Sequence, residues 1–187
     1  MRADVFGIDE GVATRGQRAP RCARYELDVL GTDVADVVTG AGGWLFDRVM
    51  AGWEVTVAVP DGVDAAPLRI LGVRTAAAES LCGDRPPSRA LAVSGPLCDA
   101  DDGVREAVGA ALRSSRSEVT LWGAPWVPAL GSRGAAVRHE LSSAARMFKA
   151  QALSAAGAGA TVVAPFETFF SHGRPVRTDY PDLLPVS

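Results

Sequence analysis

The sequence predicts an α/β domain: a three-layer sandwich with a mostly parallel sheet of about 5–6 strands and helices on both faces. Two observations carry this. Runs of strand length at Tyr25–Val29, Glu54–Val59, Ala90–Val93 and Glu118–Trp122 are separated by stretches of helical period, and turn residues mark the boundaries between them. The chain has 187 residues, 48% of them hydrophobic and 22% charged, which is the balance of a folded domain. A chain of this length buries about 70% of its unfolded surface and needs no metal or disulfide staple.

Tyr25, Leu27 and Val29 alternate with Glu26 and Asp28, the period of a half-buried strand. Thr32 and Asp33 then offer a helix cap, and Val34, Val38, Ala41, Leu45 and Val49 follow helical spacing. EVTVAV over Glu54–Val59 reads as a strand, closed by a Pro60-Asp61-Gly62 turn. Leu68–Val73 is a further short apolar run, followed by a helical turn or two around Ala76–Leu81. The paired prolines of Gly83–Pro87 mark a loop, because proline bars both helix and central strand. Strand Ala90–Val93, helix Asp101–Leu112 and strand Glu118–Trp122 follow. A long helix is expected over Gly134–Ala156, with Val137, Leu141, Phe148 and Ala152 on one face, and a last strand over Thr161–Ala164. Residues 1–22 read as a loose arm, 23–170 as a single domain and 171–187 as an irregular tail.

Thr39-Gly40-Ala41-Gly42-Gly43 resembles the TGxxGxxG turn of short-chain dehydrogenases, over about Val34 to Asp61. The resemblance implies a dinucleotide held by Gly40 and Gly43, with Asp61 on the ribose. Phe46 stands at the third glycine position, and the family's Tyr-x-x-x-Lys pair is missing: the only lysine is Lys149, and Ala145 lies four residues before it. Dehydrogenase catalysis is therefore excluded. Packed inside one helix, Gly40, Gly42 and Gly43 would each cost about 1 kcal/mol relative to alanine, which close contact with a neighbouring element offsets.

Other chemistry is sparse. The net charge is −3, which argues against a nucleic-acid partner, and no stretch is long and apolar enough to make a membrane partner. With no signal-peptide pattern, a cytoplasmic location is expected. Three cysteines without close spacing make no zinc site, and His139-Glu140 lacks the second histidine of HExxH. Asp99, Asp101 and Asp102 read as caps of the following helix. Neither a metal nor a cofactor is expected. Ser94 and Cys98 follow a strand, where ligands bind in open parallel sheets. Arg133 and Arg138 flank a Gly-Ser-Arg-Gly entry that could hold an anion. Trp122 and Trp126 bracket a proline-containing loop, and Phe169 and Phe170 fall near a proline-rich tail.

These features give the expectation of a non-catalytic cytoplasmic binding or assembly module. It would meet a protein partner or a second copy of itself through Trp126, Trp122, Phe169 and Phe170. The alternative is a nucleotide- or small-molecule-binding enzyme with its site at the carboxyl ends of the strands.

Overall fold

A computed structural model describes residues 25–60, 62–81, 88–114, 117–124, 134–158, 162–173 and 182–186. The element order is β1 (Glu26–Leu30), α1 (Val34–Met50), β2 (Glu54–Val59), α2 (Ala66–Ile70), β3 (Arg74–Ala77), α3 (Ala78–Leu81), β4 (Ala90–Ser94), α4 (Gly95–Ala100), α5 (Asp102–Ser114), β5 (Glu118–Trp122), β6 (Ala135–Glu140), α6 (Ser143–Ala155), β7 (Phe166–Gly173) and β8 (Leu184–Pro185). Among the described residues the strands join one mixed sheet of 8 strands in the order β3-β2-β1-β4-β5-β7-β6-β8. The five strands from β3 to β5 are parallel, and β7, β6 and β8 extend them antiparallel. The expected α/β class and largely parallel sheet are present; the antiparallel extension makes the sheet wider than 5–6 strands.

Strand alternation divides the core. Leu27, Val29, Val55, Val57 and Phe169 pack with α1, α2 and α6, whereas Leu30, Leu91, Val93, Val119 and Leu121 pack with Cys98, Val104 and Val108. The sheet is therefore covered on both faces. No helix among the described residues is long and apolar enough to cross a membrane.

The expected helix over Gly134–Ala156 is instead a strand followed by a helix. In β6 only Val137 and His139 are buried, the alternation of a strand that shows one face to the core. Ser142 then caps α6, its side chain accepting from the backbone N–H of Ala145. The expected strand at Thr161–Ala164 is displaced to β7, and Leu68–Val73 falls on α2 and the turn before β3. The Gly83–Pro87 loop and the arm 1–22 lie outside the described residues.

Gly40 and Gly43 form no phosphate-binding turn. Both lie inside α1, where a Cβ on Gly40 would overlap the Trp122 indole and one on Gly43 the Leu141 side chain. Gly42 would bring its Cβ to 3.3 Å from Leu71 Cδ1. Gly40→Ala is expected to lower stability by about 1–3 kcal/mol through overpacking. Gly43→Ala should cost less, because Leu141 has rotamers to turn into and the indole is hydrogen-bonded. Urea unfolding of the two variants checks the ranking, and a Gly40→Ala as stable as the parent would refute it.

Candidate functional site

Strand order reverses between β1 and β4. From β1 the chain crosses through α1 to β2 on one side; from β4 it crosses through α4 and α5 to β5 on the other. The two connections pack on opposite faces, so the carboxyl ends of β1 and β4 form the topological switch point, the position that binds ligands in open α/β sheets.

This sheet end is built from the β1–α1 turn and the ends of β4 and β5. Asp33 caps α1, its Oδ1 accepting from the Asp36 N–H at 2.7 Å. Asp36 Oδ2 accepts from the Thr32 N–H at 3.0 Å, and Asp36 Oδ1 from the Trp122 indole N–H at 3.0 Å. Ser94 lies opposite Trp122 in the β4–β5 ladder. Ser94 is fully buried, and its hydroxyl has no hydrogen-bond partner. The positive end of the α1 dipole is thus already matched by two carboxylates of its own. That disfavours a pyrophosphate there, and with Gly40 and Gly43 inside the helix the dinucleotide arrangement is corrected. Asp61 lies outside the described residues.

The other sequence-predicted residues scatter. Trp122 is 2% exposed and Phe169 0%, so neither can present a binding surface; both are core residues. Phe170, on the opposite face of β7 from Phe169, is partly buried, and Trp126 and Arg133 lie outside the described residues. Arg138 is exposed on β6, 5.9 Å from the centre of the Phe166 ring, and not on a helix entry. Asp101 Oδ1 accepts from the Val104 N–H at 2.9 Å, in keeping with the capping role. Burial pushes the Cys98 thiol up, with Arg105 acting against it and Asp99 with it, so a reactive thiolate is disfavoured. Burial pushes the His172 imidazole down. His172 pairs with Val119 near the start of β5, at the opposite end of that strand from Trp122 and out of reach of Ser94. His139 Nε2 is 2.8 Å from Asp47 Oδ2 and its Nδ1 2.8 Å from the Asp182 carbonyl.

Two buried polar clusters escaped sequence reasoning. Lys149 Nζ donates to Glu167 Oε1 at 2.5 Å and to the Thr39 carbonyl at 2.7 Å. Glu167 also accepts the N–H groups of Gly43 at 2.9 Å and Trp44 at 2.8 Å. Thr39 C=O and Gly43 N–H are an i, i+4 pair, so an ammonium and a carboxylate are set into the middle of α1. In the second cluster, Arg48 donates to both oxygens of Asp182, at 2.5 and 2.9 Å, between the rings of Trp44 and Trp53. The only available signal was placement: Lys149 shares a helix face with Ala145 and Ala152, and Glu167 a strand face with Phe169.

No protein-family model matches the sequence, and no curated protein matches it. Solved structures do. A deacetylase–teicoplanin complex from the teicoplanin biosynthesis pathway aligns with a TM-score of 0.52 at 14% identity, covering 81% of this chain and 99% of that one. A deacetylase–bog complex from the same pathway aligns at 0.51 and 14%, covering 78% and 97%. The neighbours are LmbE-family deacetylases, and what this chain shares with them is the α/β fold with its mixed, mostly parallel sheet. This overturns the expectation of a non-catalytic assembly module, since the architecture is one on which deacetylases are built.

LmbE-like deacetylases are metal-dependent hydrolases. The residues here do not fit such a centre: among the described residues no three His, Cys, Asp or Glu side chains converge as metal ligands. The carboxylates of the β1–α1 turn, Asp33 and Asp36, accept N–H donors, and both histidines of the chain sit elsewhere.

Proposed function

We propose that this chain is a hydrolase-type enzyme that acts on a small acylated molecule at the carboxyl ends of β1, β4 and β5. The single observation that carries the reading is the alignment of nearly the whole length of two deacetylase structures on this fold. The switch point supports it, because Asp33, Asp36 and Ser94 lie at that one end of the sheet.

The chemistry follows from what these groups can do. Hydrolysis of an amide or ester needs a base for the attacking water and a donor for the carbonyl oxygen as charge develops on it. Asp36 supplies a carboxylate whose orientation is set by the Thr32 N–H and the Trp122 indole. Ser94 supplies a hydroxyl whose hydrogen-bonding capacity is unused. Asp33 fixes the first turn of α1 and with it the position of Asp36.

Acetate release from a panel of small N-acetyl and O-acetyl compounds tests the reading. Asp36→Asn should reduce turnover by about 10²–10⁴-fold, the usual contribution of a positioned base. A parent protein that hydrolyses nothing in the panel, and whose melting temperature no member raises, overturns it.

A further inference from the structure

The fold points to a metal hydrolase, but the side chains at its carboxyl end do not. We infer that the switch point of this chain carries no metal centre, and that Asp36 serves there as the acceptor that the Trp122 indole N–H and the Thr32 N–H hold in place. The inference takes only the location of the site from the proposed function.

Four observations support it. Asp36 is held as an acceptor, its two oxygens taking one N–H each from Thr32 and Trp122 at 3.0 Å, and Asp33 takes the Asp36 N–H; among the described residues no third metal-ligating side chain joins them. The indole has no room to withdraw toward α1, because it lies against Gly40 where even a Cβ would overlap it. Imidazole, the commonest ligand of catalytic zinc, is not available: the chain has two histidines, one bound to Asp47 and Asp182, the other opposite Val119 on β7. The sequence that follows β5, residues 125–133, contains no Asp, Glu, His or Cys. What remains at this sheet end is Asp33, Asp36 and the buried, unpartnered hydroxyl of Ser94, with the Trp122 indole N–H already spent on Asp36. A cation there would meet two carboxylates and no third ligand among the described residues.

The test reads metal content on the full chain and needs no substrate. After dialysis against excess Zn²⁺, Mn²⁺ or Mg²⁺ and desalting, mass spectrometry of the metals should find well under about one tenth of an ion per chain. The melting temperature should be the same in EDTA and in Zn²⁺. One ion per chain in the parent, lost in Asp36→Asn, overturns the inference. If Asp36→Asn fails to fold, a zinc-induced change in parent tryptophan fluorescence that EDTA reverses and Trp122→Phe abolishes overturns it equally. The two proposals fail separately: absent acetate release with no metal bound sinks only the hydrolase reading, whereas hydrolysis abolished by EDTA and restored by Zn²⁺ sinks only this one.

Discussion

Replacing Lys149 by methionine should lower the stability of the fold by about 3–5 kcal/mol, the usual cost of orphaning one member of a buried ion pair. Lys149 is 7% exposed and Glu167 6%, so neither charge has water to fall back on. Without the ammonium, Glu167 keeps, among the described residues, the Gly43 and Trp44 N–H groups as donors, and the Thr39 carbonyl loses its Lys149 bond. Glu167→Gln should also destabilise, leaving an ammonium opposite a neutral amide. The double variant should recover much of the loss, because removing both charges removes the desolvation problem with them. Urea unfolding followed by circular dichroism measures all four proteins. Strictly additive losses, or a Lys149→Met within about 1 kcal/mol of the parent, would show that the pair is not coupled.

The second large effect is expected at Arg48. Its guanidinium is 3% exposed, lies 4.7 Å from the ring centre of Trp44 and 3.9 Å from that of Trp53, and grips Asp182 with two hydrogen bonds. Glu118 stands 3.7 Å away on the same side. Arg48→Met keeps the length but loses the stacking and the fork, so about 2–4 kcal/mol of stability should go. Arg48→Lys should rescue little, since a point charge cannot be bidentate and planar at once. The readout that separates this from general loosening is local. Residues 182–186 reach the body of the protein through Asp182 and a short β6–β8 pairing, so limited proteolysis there should accelerate about tenfold or more. Uniform cleavage across the chain, with this segment no faster than the rest, would contradict the anchoring role.

The parallel half of the sheet was legible because each element carries its own signal. Val119 and Leu121 alternate around Thr120 with turn residues on either side, and α5 opens on acids and closes on Arg113. The antiparallel half was not. Ala135–Glu140 is rich in residues that also suit helices, so its period was absorbed into the helix that follows; only the Ser142 cap marks the boundary. Of the candidate site, Ser94 and the end of β5 were legible as strand termini. The Trp122–Asp36 contact joins residues 86 apart, and no local pattern announces a pairing of that span. Trp122 read as an interaction residue because it closes its strand beside the proline-containing loop that carries Trp126, and nothing in the sequence pairs it with a reason for burial. The space under Gly40 supplies that reason, and it exists only in three dimensions.

The Arg48–Asp182 contact also bears on how the chain is made. Its two residues are separated by 134 positions, so a nascent chain emerging at about 5–20 residues per second carries Arg48 for roughly seven to twenty-seven seconds before Asp182 exists to take its two hydrogen bonds. During that interval the guanidinium cannot be sealed between Trp44 and Trp53 with both hydrogen bonds made, and α1 must remain open on that side. The final closure of this protein is thereby tied to the completion of translation through residue 182. Nonsense or frameshift lesions upstream of it should leave an intermediate in which Arg48 lacks both Asp182 hydrogen bonds and α1 stays open on that side, a natural target for chaperones and proteases.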